Sequence, residues 1–153
     1  MGMYGHAWVC TPAVAVWGVK GGMWHTMPDK KADAAEVEIP RLVLTELFDI
    51  ASRAEELAWK PFRTGIDIYR LYGGDAAQPA AALLRYQPGA SAPRHIHIGV
   101  EHIFILNGSQ RDESGVYQAG TFIVNPAGST HSVISDNGCI VLVLWQQPVQ
   151  FTG

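Results

Sequence analysis

Four residues in the second half of the chain have the types and spacing of a metal-ligand set. His95 and His97 are two apart, so on a strand both imidazoles leave the same face. Glu101 follows four residues later. On a straight strand it would lie about 13 Å from His97, at roughly 3.3 Å per residue. One ion with bonds of about 2 Å cannot bridge that gap. The chain must therefore turn back, and Ile98-Gly99-Val100 carries a glycine for the turn. Glu101 then opens the returning strand, and His131 comes from a later strand to close the site from the opposite wall. Three imidazoles and one carboxylate suit a borderline divalent ion: Zn, Fe, Mn or Ni.

The rest of the chain must build strands to carry these side chains. Residues 65–72 alternate and close at Gly73-Gly74-Asp75. Residues 80–87 close at Pro88-Gly89. Residues 101–106 run to Asn107-Gly108, a dipeptide that predicts a hairpin. Further strands are expected over 116–117, 121–124, 131–135 and 139–145, with Asn125-Pro126, Ala127-Gly128 and Asn137-Gly138 separating the last three. Short strands at spacings of roughly 8–12 residues imply an all-β sandwich or barrel. Upstream, 36–47 reads as a strand kept to an edge by Pro40. Residues 48–57 contain the helix-compatible stretch, ended by Lys60-Pro61. Residues 139–145 (CIVLVLW) are apolar on both faces. A barrel strand shows one face to the lumen and one to the outside. The outside must then be covered by the first forty residues or by a second subunit, so a homodimer is expected.

Composition narrows the function classes. The 153 residues make one domain, with 48% hydrophobic and 16% charged residues, which excludes a disordered tail or a coiled coil. Eleven basic residues against fourteen acidic ones give a net charge of −3. A nucleic-acid partner would need a clustered basic surface, so none is expected. No apolar run reaches the roughly 18–20 residues of a membrane span. Residues 13–19 are short and follow no basic region, so they do not read as a signal peptide. Cys10 and Cys139 form no CxxC, which argues against a zinc knuckle. The count fits a reducing, cytoplasmic setting. The expected division is an irregular N-terminal extension over 1–40, packing on the barrel or on a partner subunit, and a barrel over 41–153.

The spacing resembles the two motifs of the cupin superfamily. Gly89, His95, His97, Glu101 and Gly108 fit G-x5-HxH-x3-E-x6-G, and Gly120, Pro126, Gly128 and His131 fit G-x5-PxG-x2-H-x3-N, where Ser135 replaces the final Asn. The resemblance implies a double-stranded β-helix, or jelly-roll barrel, with a small-molecule ligand in its lumen. From residue 59 to residue 145 the chain also resembles the ChrR-type cupin domains and their standalone relatives. The matching runs are Ala82-Leu83-Leu84-Arg85, Pro88-Gly89-Ala90, Asp112-Glu113-Ser114-Gly115-Val116-Tyr117 and Gly138-Cys139. In that family the equivalents of His95, His97, Glu101 and His131 bind zinc. The family's anti-sigma activity resides in a separate N-terminal zinc domain with a CxxC, which this N-terminal region lacks, so sigma-factor inhibition is not expected. Other relatives resemble diketone and aryl-ketone dioxygenases that hold Fe(II) in the same pocket.

The resemblance therefore implies either a metal-dependent dioxygenase for a small diketone or hydroxy-ketone, or a non-catalytic zinc-bound sensor of small molecules or oxidants. No independent general acid or base stands out, so no catalytic residue is assigned beyond the metal set. His102, next to Glu101, is expected on the opposite face, outside or at an interface. His6 and His25 read as surface or tail residues. Cys139 reads as a small hydrophobe, and Trp59 as a packing residue. Tyr86, Arg85, Phe122, Val133 and Trp145 are candidates to line the pocket.

Overall fold

The computed structural model describes residues 39, 41–74 and 79–152. Except for Ile39, the expected extension over 1–40 lies outside the described residues, as do His6, Cys10 and His25. Ten strands follow two short 3-10 turns, Leu47–Asp49 and Ala54–Glu56. They are β1 (Lys60–Arg63), β2 (Ile66–Tyr72), β3 (Ala80–Tyr86), β4 (Ala90–Ile96), β5 (Glu101–Arg111), β6 (Val116–Gln118), β7 (Phe122–Asn125), β8 (Thr130–Ser135), β9 (Cys139–Trp145) and β10 (Gln150–Phe151). The sheet curls through the order β1-β2-β3-β9-β5-β8-β4-β10, with β6 and β7 also paired to β5. The strand pairs are antiparallel, and the all-β curled architecture is the one expected from the sequence.

The curl depends on β5, where the sequence reading needs correction. Asn107-Gly108 is not a hairpin. The strand continues through it, and its register against β9 shifts between Ile105 and Asn107. Gly108 takes φ 72°, and a Cβ there would collide with the carbonyl of Gly138. The dipeptide supplies the left-handed residue of a bulge, which bends a strand as well as a turn does. Up to Gly108, β5 pairs with β9; from Ser109 to Arg111 it pairs with β6.

A second bulge serves the site directly. Ala92 and His95 are three apart, so a regular strand would point them to opposite faces. Both are buried inward, because the β4–β8 register shifts between Ala92 and His95. The residue inserted there includes Pro93, which has no N–H for the ladder and is tolerated at such a shift.

Two apolar layers hold the curl. The inner one joins Ile66, Ile68, Leu84, Ile103, Ile105, Val133, Val141 and Val143. The outer one joins Leu83, Leu106 and Ile140 to Ile50 and Ala54, with Leu57, Trp59 and Tyr69 packed against it. Part of the doubly apolar β9 is thus covered by residues 47–59, and not by the first forty residues or second subunit expected from the sequence. Trp59 belongs to this packing: its indole N–H donates to the Ala54 carbonyl at 2.6 Å, and its ring meets Tyr69 edge-on at 6.3 Å.

Two further expectations are corrected. The described residues 41–46 of the predicted first strand have no regular structure and are mostly exposed. They have β-propensity but no paired strand, and propensity alone does not satisfy a strand's backbone groups. The helix-compatible stretch forms 3-10 turns instead. Ser52 Oγ donates to the Asp49 carbonyl at 2.9 Å and to its carboxylate at 2.8 Å, competing with helical bonds in a segment too short to nucleate a stable helix. No helix among the described residues is long and apolar enough to cross a membrane.

The bulge makes a prediction. Gly89 and Gly108 share a positive φ, but a Cβ at Gly89 meets open space. Gly108→Ala should therefore lower the unfolding free energy by at least about 1 kcal/mol more than Gly89→Ala, whose cost is conformational alone. Equal losses in urea denaturation would contradict the close approach at Gly108.

Candidate metal centre

His95, His97, Glu101 and His131 come together, but His131 arrives from β8, the strand paired directly with β4, and not from the opposite wall expected from the sequence. All four are buried, and one ligand atom from each lies within 4.8 Å of the other three. The strands explain the convergence. His95, the next-to-last residue of β4, stands directly opposite His131 on β8. His97 lies just past β4, and its backbone is pinned to the turn before β8: its N–H donates to the Ser129 carbonyl at 3.0 Å, and its carbonyl accepts from Gly128 N–H at 2.7 Å. The chain then reverses through Ile98-Gly99-Val100. Gly99 backs onto the loop after β9, where a Cβ would stand 2.8 Å from Gln147 N. Glu101 returns to within 3.0 Å of His97.

The hydrogen bonds fix the tautomers of the three imidazoles. His95 Nδ1 faces the Pro93 carbonyl at 2.8 Å, and a carbonyl only accepts, so this nitrogen carries the proton. His97 Nδ1 faces Ser129 Oγ at 2.9 Å. That hydroxyl gives its own proton to the Pro126 carbonyl at 2.6 Å, so it accepts from His97. His131 Nδ1 faces the Asp112 carboxylate at 3.4 Å. In its neutral form each ring is thereby protonated on Nδ1 and turns an Nε2 lone pair inward.

Those lone pairs need a cation. Nε2 of His95 and Nε2 of His131 stand 3.1 Å apart. His97 Nε2 lies 3.0 Å from Glu101 Oε2 but is not aligned to hydrogen-bond with it. Among the described residues it is the one buried side-chain nitrogen or oxygen left without a hydrogen-bond partner. A divalent ion would satisfy all of these atoms, with the outer partners in the positions that orient metal-binding imidazoles. The cluster could hold a metal ion.

Glu101 is held as a carboxylate. It lies directly opposite Asn125 on β7 and Trp145 on β9. Asn125 Nδ2 donates to Oε2 at 2.8 Å, and Trp145 Nε1 donates to Oε1 at 2.7 Å. Burial, chiefly, pushes His95 down, so it stays neutral and ready to ligate. The Tyr86 phenol is raised by burial first and then by Cys139 and Glu101, and keeps its proton. Cys139 is a free, buried thiol pushed up by burial to about 11, the inert small residue the sequence suggests.

The remaining candidates divide by strand face. Tyr86 and Val133 are in the inner layer, and Trp145 packs against it. Arg85 faces outward, bonded to Asp67 and Glu55. His102 also faces outward, stacked on Phe122 at 5.8 Å. Ser135, where the motif has Asn, is fully buried and donates to the Ser109 carbonyl at 2.6 Å, tying β8 to β5. The sequence reading missed Asn125, Asp112 and Ser129 as supports of the cluster, and Phe151, whose ring lies 5.3 Å from that of His95. Asp112 is itself fixed, accepting from Ser114 N, Gly115 N and the Tyr117 hydroxyl.

Residues 48–149 match the family described as the ChrR cupin-like domain. The chain is 30% identical over 107 residues to the anti-sigma-E factor ChrR of Cereibacter sphaeroides. That alignment covers 68% of this chain and 49% of the relative, so the chain spans about half the length of the curated relative it matches. Its fold is similar to a chain of the Rhodobacter sphaeroides SigE–ChrR complex, at 27% identity and TM-score 0.54, covering 63% of this chain and 53% of that one. It is also similar to an acetylacetone dioxygenase from Acinetobacter johnsonii, at TM-score 0.59, covering 74% of this chain and 78% of that one. At 16% identity that likeness is one of fold.

The tautomer argument is testable by nitrogen-15 NMR of histidine-labelled protein. Addition of zinc should move the Nε2 resonances of His95, His97 and His131 and leave their Nδ1 protons in place. Loss of an Nδ1 proton from any of the three would contradict the geometry.

Proposed function

The chain belongs to the family of ChrR cupin-like domains, and on that premise we propose that His95, His97, Glu101 and His131 bind one divalent transition metal and that the protein is an iron-dependent dioxygenase acting on a small diketone or hydroxy-ketone. The observation that carries the metal reading is the buried, unbonded Nε2 of His97 beside two facing imidazole lone pairs. Catalysis is supported by a cavity of about 300 Å³ beside the cluster, walled by Phe62, Trp145, Val149 and Phe151. Two of its walls touch the cluster: Trp145 through Glu101, and Phe151 against His95.

Iron in the cluster would activate dioxygen and act as a Lewis acid toward a chelating ketone, the electrons that reduce dioxygen coming from the ketone itself. The chain's own residues prepare the rest. Asn125 and Trp145 hold both Glu101 oxygens, so the carboxylate keeps one orientation while a substrate enters. The apolar walls exclude water and favour the hydrocarbon body of a small ketone. Tyr86 stays protonated and offers a hydroxyl donor on the lumen side.

The second reading is a zinc-bound sensing domain, favoured by the 30% identity to a protein named as an anti-sigma factor. A ligand in the same cavity would then bias a contact with another protein. For assembly, the exposed Phe48, Phe122 and Val124 on the outer surface support a homodimer. The free Cys139 is in keeping with a cytoplasmic setting.

Elemental analysis of protein purified anaerobically, followed by dioxygen uptake with pentane-2,4-dione, separates the two readings. Iron near one equivalent and dioxygen-dependent cleavage of the diketone are expected. Tight zinc with ligand binding but no turnover after iron reconstitution would overturn the enzyme and leave the sensor. In either case His97→Ala should reduce bound metal by about tenfold or more and lower the melting temperature of metal-loaded protein. Full metal occupancy in that variant would contradict the ligand assignment.

A further inference from the structure

The two free ends of the curled sheet, β1 and β10, meet beside the cluster. The Arg63 guanidinium on β1 lies 3.3 Å from the ring centroid of Phe151 on β10. The other neighbour of that ring is the imidazole of His95, at 5.3 Å. Arg63 is thus separated from a cluster histidine by one aromatic ring, at no more than the sum of those two lengths. It also lies 5.8 Å from the ring of Phe62.

Arg63 lines the cavity described above, with Phe62, Arg70, Trp145, Val149 and Phe151. Among the described residues, the charged members of that lining are both arginines and none is acidic. Arg70 lies on the inward-facing side of β2, in step with the buried Ile66 and Ile68. Arg85 and Asp67 pair with each other on the outer face, and Glu101 is held inside the cluster. Arg63 has no carboxylate partner among the described residues; its described contacts are the two aromatic rings. A guanidinium stacked on aromatic faces keeps its in-plane N–H donors free for a carboxylate.

We infer that this cavity selects an anionic ligand: a small chelating ketone that bears a carboxylate a few bonds from its two oxygens, with Arg63 receiving the carboxylate. The inference rests on the chelating-ketone reading above and adds the charge of the substrate to it. The apolar walls take the linker, and the guanidinium on Phe151 takes the anion, bidentately, at the mouth.

A matched pair of probes tests this. The first, 4,6-dioxoheptanoate, has a β-diketone head and a carboxylate two methylenes away. The second is its methyl ester, with the same head and no charge. Both are titrated by calorimetry into metal-loaded protein whose metal content has been measured. The acid should bind about tenfold tighter than the ester at low salt, and the ratio should shrink as salt is raised. Arg63→Gln should bring the two affinities within about twofold while leaving bound metal and the affinity of the ester unchanged. Equal affinities for wild-type protein would overturn the inference and leave the ketone reading intact. A preference that survives Arg63→Gln would overturn it as well, because the carboxylate would then sit elsewhere. If neither probe binds metal-replete protein, the chelating-ketone reading falls and this inference falls with it.

Discussion

Two imidazole nitrogens, both bearing lone pairs, face each other at 3.1 Å in the interior of this barrel. Like dipoles that close in a buried place repel unless a cation lies between them. The surrounding structure enforces the arrangement. A backbone carbonyl, a serine hydroxyl and an aspartate each hold one imidazole proton on the outer nitrogen. Neither side-chain partner, Ser129 or Asp112, is replaceable by an apolar residue without freeing a ring to turn its N–H inward. The two shifts of register are part of the same construction. One at Ala92/His95 swings His95 to the lumen, and one at Ile105/Asn107 lets β5 serve both halves of the curl.

Packing supplies the rigidity that the cluster requires. Ligands from β4, β5, β8 and the turn after β4 must stay in register while carrying buried polar groups. The inner apolar layer fixes the faces of the strands, and the outer layer, capped by residues 47–59, stops the sheet from uncurling at β3, β5 and β9. The seam between β1 and β10 is different. There the described contact across the gap is an arginine over a phenylalanine, close to the cavity.

The ligand set was legible because its geometry is nearly local. A two-residue spacing, a glycine turn and a return fix three of the four positions, and repeated turn dipeptides announce the fourth strand. What supports the ligands was not legible. Asn125 and Trp145 reach Glu101 because each stands opposite it across a ladder, and register of that kind has no signature in either strand alone. Asp112 reaches His131 from the end of β5, nineteen residues away. Asn107-Gly108 illustrates a different limit. The dipeptide reports a left-handed residue, and whether that residue makes a turn or a bulge depends on strands distant in sequence. The described part of the strand expected over 36–47 and the helix expected over 48–57 fail for one reason: local propensity does not decide where tertiary partners do.

A cupin domain with this cluster can serve catalysis or sensing, and the fold does not choose between them. The claim beneath both is that four named side chains hold one metal ion. X-ray absorption at the metal edge of the purified protein tests it most directly. The account predicts a first shell of nitrogen and oxygen at about 2.0–2.2 Å with imidazole scattering beyond it and no sulfur. A sulfur shell at about 2.3 Å, which would bring in a cysteine, or a shell without imidazole would contradict it.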